Sequence, residues 1–125
     1  MKVVDASAMI DVLTGSPRAG QLLAVFDDDL FAPDLLVPEV FAFLRKAASS
    51  GALHDADLLV TALQQAPIEY LHTWPYAERM WSWRHNLSPY DASYVALAED
   101  LGVTLVTTDL RLAKAAAEIV TIISF

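Results

Sequence analysis

Short apolar runs rich in β-branched residues alternate along the chain with longer segments whose apolar positions recur every three or four residues. The first run, Lys2-Val3-Val4, predicts a strand ending at Asp5. Ala8, Met9, Ile10 and Leu13 predict a helix behind it, which Gly15-Ser16-Pro17 breaks. A second helix is expected over 18–26, with Leu22, Leu23 and Phe26 on one side. The polar run 27–29 then leads into a short strand over 30–32. Pro38 opens a helix through Val40, Phe41 and Leu44 to about residue 49, closed by Gly51. A helix over 55–65, a strand over 68–71 and an aromatic-rich helix over 74–84 follow. Ser88-Pro89 starts a helix that Gly102 ends. A strand over 103–106, a helix over 110–117 and a strand over 119–123 complete the pattern.

Strands separated by helices imply βαβ units, hence an α/β fold with a mostly parallel sheet and helices on both faces. A length of 125 residues, without repeats or linker, fits one domain over 1–125. At 55% hydrophobic and 19% charged residues, a packed core is expected rather than disorder. The absence of cysteine excludes disulfides, zinc–thiolate sites and thiol nucleophiles, and fits a reducing cytoplasm. No stretch approaches the roughly 20 apolar residues needed to span a bilayer. Met1 to Asp5 is too short an apolar run for a signal peptide, so a soluble protein is expected.

The formal net charge of -8 sets a constraint on any nucleic-acid role, because phosphate backbones attract Lys and Arg. Carboxylates gathered at one site would carry cations that invert the local charge, and a basic partner protein would match an acidic surface.

Four carboxylates stand at positions that matter in such a fold. Each has an ordinary explanation. Asp5 is a turn or cap residue, Glu39 follows Pro38 at a helix start, Asp91 completes the capping box Ser88-Pro89-Tyr90-Asp91, and Asp109 is a helix N-cap. Their joint placement is more informative. Asp5 and Asp109 each lie past the C-terminal end of a predicted strand, and Glu39 and Asp91 lie in the first turn of predicted helices. In an open parallel sheet these positions share one edge, where the strand order reverses. If the strands of Asp5 and Asp109 are neighbours, the acids converge, and their repulsion is relieved by protons or by hard divalent cations such as Mg²⁺ or Mn²⁺. Metal-bound carboxylates suit phosphodiester hydrolysis. There is no glycine-rich phosphate loop, no Gly-x-Ser-x-Gly and no histidine pair at ligand spacing to compete.

Four segments carry a family resemblance: Val3-Val4-Asp5-Ala6-Ser7-Ala8, 32–40 around Pro38-Glu39-Val40, Tyr90-Asp91-Ala92-Ser93 running on to Glu99, and Leu105-Val106-Thr107-Thr108-Asp109. In this order and over essentially the whole chain, they resemble the PIN-domain ribonucleases, specifically the VapC-type toxins of bacterial toxin–antitoxin pairs. The resemblance implies a parallel sheet of about five strands, an acidic Mg²⁺ or Mn²⁺ site, endonucleolytic cleavage of RNA, a homodimer and inhibition by a cognate VapB-type antitoxin. By position, Asp5, Glu39, Asp91 and Asp109 become the acidic, metal-holding set, with Asp5 and Asp91 in the most direct contact. Ser7 and Thr107 become polar helpers. The implied reaction is attack of water on the phosphodiester, releasing a 3′-hydroxyl and leaving a 5′-phosphate.

Other residues read more plainly. Asp11, Asp34 and Asp27-Asp28-Asp29 are expected to be solvated, although Asp34 is placed to fix the loop before Glu39. His54, His72 and His85 are too scattered to form a general base. The aromatic segment from Trp74 to Arg84 is core, an interface, or a platform for unpaired RNA bases. Arg45, Lys46, Arg111 and Lys114 are candidate phosphate contacts against a default of solvated helix faces, and Phe41, Phe43 and Leu44 are core or part of a partner groove. Two other functions fit less well. A receiver-like phosphoacceptor needs an acid pair after the first strand and a Lys after a late one, and Asp5-Ala6 and Thr107-Thr108-Asp109 supply neither. A catalytically silent PIN-like binding domain is disfavoured by the complete set of acids.

Overall fold

The computed structural model describes residues 1–26 and 29–125. Their elements run β1 (Lys2–Val4), α1 (Ala6–Leu13), α2 (Ala19–Val25), β2 (Leu30–Pro33), α3 (Leu36–Ser49), α4 (Ala56–Gln65), β3 (Ile68–Leu71), a 3₁₀ turn (Trp74–Tyr76), α5 (Ala77–Ser82), α6 (Pro89–Leu101), β4 (Thr104–Thr107), α7 (Leu110–Ala116) and β5 (Ile122–Ser124). Of the predicted acidic connection 27–29, residues 27 and 28 lie outside the described residues.

The strands form one five-stranded sheet in the order β3-β2-β1-β4-β5. Every pairing is parallel. The order reverses at β1, the central strand, which pairs with β2 on one side and β4 on the other, Val4 standing opposite Val106. Right-handed crossovers therefore place the β1–β2–β3 connections on one face and the later ones on the other. The contacts agree: α1 packs with α2, α3 and α4, while α6 lies across β1, β2 and β4.

Burial explains the strand sequences. Val3, Val4, Leu105 and Val106 are fully buried, as continuous apolar runs in a two-sided parallel sheet must be. Helix α6 is sandwiched tightly enough that Ala92 through Ala98 are all buried. Three predicted boundaries shift. Helix α3 begins at Leu36, two residues before Pro38, because a proline costs no hydrogen bond anywhere in a first turn whose N–H groups have no helical partner. The aromatic helix predicted over 74–84 breaks into a 3₁₀ turn and the short α5, with Pro75 in the first turn. The last strand starts at Ile122 rather than 119, since the Ile119 and Val120 amides still close the turn after α7 by donating to the Ala116 carbonyl.

Candidate active site

The C-terminal ends of β1 and β4 lie side by side, so Asp5 and Asp109 meet as neighbours across the switch point, and the Asp5 amide donates to the Val106 carbonyl at 3.1 Å. Asp5 caps α1: its Oδ1 accepts from the Ala8 amide at 2.9 Å and from the Ser7 hydroxyl at 2.7 Å. Its Oδ2 accepts from the Thr107 hydroxyl. Ser7 Oγ also accepts from the Thr108 amide of the facing turn, and Thr107 Oγ1 accepts from the Asp109 amide within its own turn, each at 3.0 Å. A hydroxyl has a single proton. Both are committed to Asp5, so Ser7 and Thr107 rivet the β1–α1 turn to the β4–α7 turn through one carboxylate.

Asp5 is only 4% exposed. Burial pushes its carboxyl from 3.8 up to about 6, the hydrogen bonds from Thr107, Ala8 and Ser7 oppose the rise, and the charge of Asp109 adds to it. Glu39, in the first turn of α3, is also raised, by burial first and by the charge of Asp91 last, against a hydrogen bond from the Tyr94 hydroxyl to its Oε1. The phenol of Tyr94 is itself driven strongly upward by burial, by that bond, and by the charges of Glu39 and Asp5. Asp5 thus feels the charge of Asp109, and Glu39 that of Asp91.

Asp91 and Asp109 are linked by a cation. Arg111 Nη2 stands 3.2 Å from Asp91 Oδ2 and 3.4 Å from Asp109 Oδ2. Asp109 Oδ1 meanwhile caps α7 by accepting from the Arg111 and Leu112 amides. The Ser88 half of the predicted capping box forms, its Oγ accepting from the Asp91 amide at 3.0 Å, which leaves the Asp91 carboxylate for Arg111.

The four acids offer only oxygen donors, the set preferred by hard divalent cations. Burial first, and the charges of Asp109 and Asp91 last, raise Asp5 and Glu39, and a guanidinium already sits between Asp91 and Asp109. A divalent cation fits that chemistry. Among the described residues, no three His, Cys, Asp or Glu side chains close up into a finished cage.

Sequence reasoning missed Tyr94 as a member of the site, although its spacing of three residues from Asp91 puts both on one face of α6. The default reading of Arg111 as a solvated helix residue overlooked its bond to Asp91, twenty residues away. His54, His72 and His85 are exposed, whereas Asp11, expected to be solvated, is only 18% exposed at its side chain and pairs with Arg18 at 3.6 Å. Asp34 is exposed, and its backbone carbonyl accepts from the Val37 amide in the loop before Glu39. Leu44 is core while Phe41 and Phe43 are partly exposed.

A family model described as PIN domain matches residues 2–118. Over 115 residues, 90% of this chain and 88% of the relative, the sequence is 44% identical to VapC ribonuclease Mb0985 of Mycobacterium bovis. The crystal structure of PAE2754 from Pyrobaculum aerophilum superposes with a TM-score of 0.76 at 25% identity, covering 98% of this chain and 89% of that one. VapBC2 from Rickettsia felis, solved bound to a DNA fragment from its promoter, shares the fold at a TM-score of 0.68 and 10% identity, with 98% and 97% covered.

Proposed function

The chain belongs to the PIN domain family, and from that premise we propose that it is a VapC-type toxin, a divalent-metal-dependent endoribonuclease acting at the edge where Asp5 meets Asp109. The observation that carries the reading is the buried Asp5, riveted by Ser7 and Thr107 at the switch point and raised by burial and by the charge of Asp109. The 44% identity to a VapC ribonuclease supports a hydrolytic role for that carboxylate.

Asp5 and Asp91 would hold Mg²⁺ or Mn²⁺ most directly, with Glu39 and Asp109 completing the acidic surround. The ion, when bound, supplies activation of a water and positive charge for the phosphate oxygens. The chain supplies the rest. Ser7, Thr107 and the Ala8 amide fix the Asp5 carboxylate against rotation. Tyr94 holds Glu39 by Oε1, leaving Oε2 as the atom able to take a proton, and the raised affinity of Glu39 for protons suits that task. Arg111 neutralises Asp91 and Asp109 in the metal-free state and offers an N–H fork to a phosphate that displaces it.

The 125 residues then constitute one PIN domain that works in the cytoplasm as a homodimer, cleaves RNA and is silenced by a VapB-type antitoxin. No described helix is long and apolar enough to cross a membrane. Expression of the wild-type chain should arrest growth, and co-expression of the cognate antitoxin should relieve the arrest. Asp5→Asn should abolish both the arrest and RNA cleavage while the protein remains folded by circular dichroism. An Asp5→Asn protein that still cuts RNA at the wild-type rate removes Asp5 from the reaction.

A further inference from the structure

Two hollows lie on either side of the buried Leu87, the second of them next to the acidic cluster. One, of about 350 Å³, is walled by Trp74, Met80, Trp81, Arg84 and Leu87. The other, of about 850 Å³, lies between the loop after α5 and helix α7, and its lining includes Asn86, Leu87, Arg111 and Lys114. Leu87 belongs to both, and Arg111 carries the second hollow into the acidic cluster through Asp91 and Asp109. Both volumes fall in the roughly 300–1,000 Å³ range of sites that take small ligands.

Exposed indoles and cations stand out in a lining that also holds apolar wall residues and one carboxylate, Glu118. Trp83 is core, but Trp74 and Trp81 are 80% and 68% exposed, which leaves apolar indole faces in water. The Arg84 guanidinium stacks 5.0 Å from the centre of the Trp81 ring. Of the eight Lys and Arg residues in the chain, Arg84 lines the first hollow and Arg111 and Lys114 the second, Arg111 also pairing with Asp91 and Asp109, whereas Arg18 and Arg79 lie elsewhere, paired with Asp11 and Glu99. Indole faces interleaved with cations match an unpaired nucleotide, whose base is a flat apolar ring and whose phosphate is an anion. Bases inside a duplex cannot present their faces. Continuity with the acids that cut the backbone favours RNA over a protein segment as the occupant.

We propose that this groove binds the single-stranded stretch of substrate RNA next to the cleaved bond, one base stacking at Trp81 and Trp74 and the phosphates following Arg84, Lys114 and Arg111. The proposal rests on the ribonuclease reading above and adds the path the RNA takes and the side chains that hold it.

The test uses the cleavage-deficient Asp5→Asn chain with Mg²⁺ and a fluorescein-labelled oligouridylate of about twelve nucleotides, within the span such grooves cover. Binding is followed by anisotropy. Trp81→Ala in that background should weaken binding about tenfold, as expected for one lost base stack, and Trp81→Phe should restore most of it. Lys114→Ala should lower the salt dependence by about one phosphate contact. A blunt RNA duplex of the same length should bind more weakly and ignore the Trp81 change. The proposal is overturned if Trp81→Ala binds the oligonucleotide like its parent, and doubly so if that variant instead loses self-association or antitoxin binding, which makes the patch a protein interface. Trp81 is exposed, so its loss does not threaten folding, and a thermal melt verifies this. Cleavage of total cellular RNA by the wild-type chain is measured in parallel. Cleavage without a Trp81 effect sinks the groove alone, whereas no cleavage sinks the ribonuclease reading beneath it.

Discussion

Asp5→Asn probes the electrostatics of the site without reference to catalysis. Asp5 is almost wholly buried, and its carboxyl is raised from 3.8 to about 6, with desolvation the largest cause. Between those two values the folded protein holds a proton that the unfolded chain has released. The associated stability is therefore fully present below about pH 3.8 and is lost as pH rises through about 6. At pH 7.5 the ionised, desolvated carboxylate costs about 3 kcal/mol relative to its protonated form. Asparagine removes the charge and keeps the shape. Its Oδ1 still accepts from Ala8 and Ser7, while its amide donates to Thr107 Oγ1. The displaced Thr107 proton then turns to Ser7 Oγ, already 3.2 Å away. That rearranged bond returns about 1 kcal/mol of the gain. In EDTA at pH 7.5 the variant should be about 2 kcal/mol more stable than wild type, a rise of roughly 6–10 °C in Tm for a domain of this size.

The assay is urea and thermal unfolding of both proteins in EDTA from pH 4 to 8. Titrations common to both cancel in the difference. The gap should open between about pH 4 and 6, close to zero at the lower end and level above, and added Mg²⁺ should stabilise wild type more than the variant. A gap that does not vary with pH, or an Asp5→Asn protein less stable at pH 7.5, would refute the claim that burial and the charge of Asp109 set the state of this carboxylate.

Tyr94→Phe removes the bond that holds Glu39 down, so Glu39 should rise further and the acidic limb of the pH–rate profile should move to higher pH; a limb that stays put excludes Glu39 from the proton inventory. Arg111→Ala removes the cation between Asp91 and Asp109, and titration calorimetry should find Mn²⁺ binding several-fold tighter. Its side chain is 73% exposed, so stability should change by less than about 1 kcal/mol, and an unchanged Mn²⁺ affinity would show that Arg111 does not compete for the acids. Gly102 ends α6 at φ 67, and open space surrounds the point where a methyl group would stand. Gly102→Ala should therefore cost about 1 kcal/mol in urea unfolding from backbone conformation alone, and a cost near zero would contradict the left-handed cap.

The parts of this fold that local physics controls were legible in the sequence. The run Lys2-Val3-Val4 could only be a buried strand, and Ser88-Pro89 with Gly102 marked both ends of α6 by their backbone requirements. The convergence of Asp5 and Asp109 followed conditionally from their positions after two strands. What the sequence lacked was the pairing of β1 with β4, a contact across a hundred residues that no local pattern encodes. The same limit hid the Asp91–Arg111 bond and the Tyr94–Glu39 bond, each joining separate helices. The aromatic segment was ambiguous for a different reason. Aromatic spacing does not distinguish a core face from a solvent face, and only the packing of α5 against α6 decides that Trp83 goes inward while Trp74 and Trp81 stay out.

The net charge of -8 argues against affinity for RNA, and the groove turns that objection into a number. An acidic exterior repels a polyanion everywhere except where cations are concentrated, so non-specific binding should be weak and productive binding confined to one path. On that path stand Arg84, Arg111 and Lys114. Each phosphate neutralised on a single strand contributes about -0.7 to the slope of log K against log salt, so the three cations together give a slope of about -2. Stacking is insensitive to salt and should supply the remaining affinity. Binding of the oligouridylate to the Asp5→Asn chain between low and physiological salt measures this slope directly. A value near -2 that falls by about 0.7 on Lys114→Ala places the phosphates along α7. A slope several units steeper means that RNA lies along a more extended basic surface, which one copy of this acidic chain does not possess and a partner would have to supply.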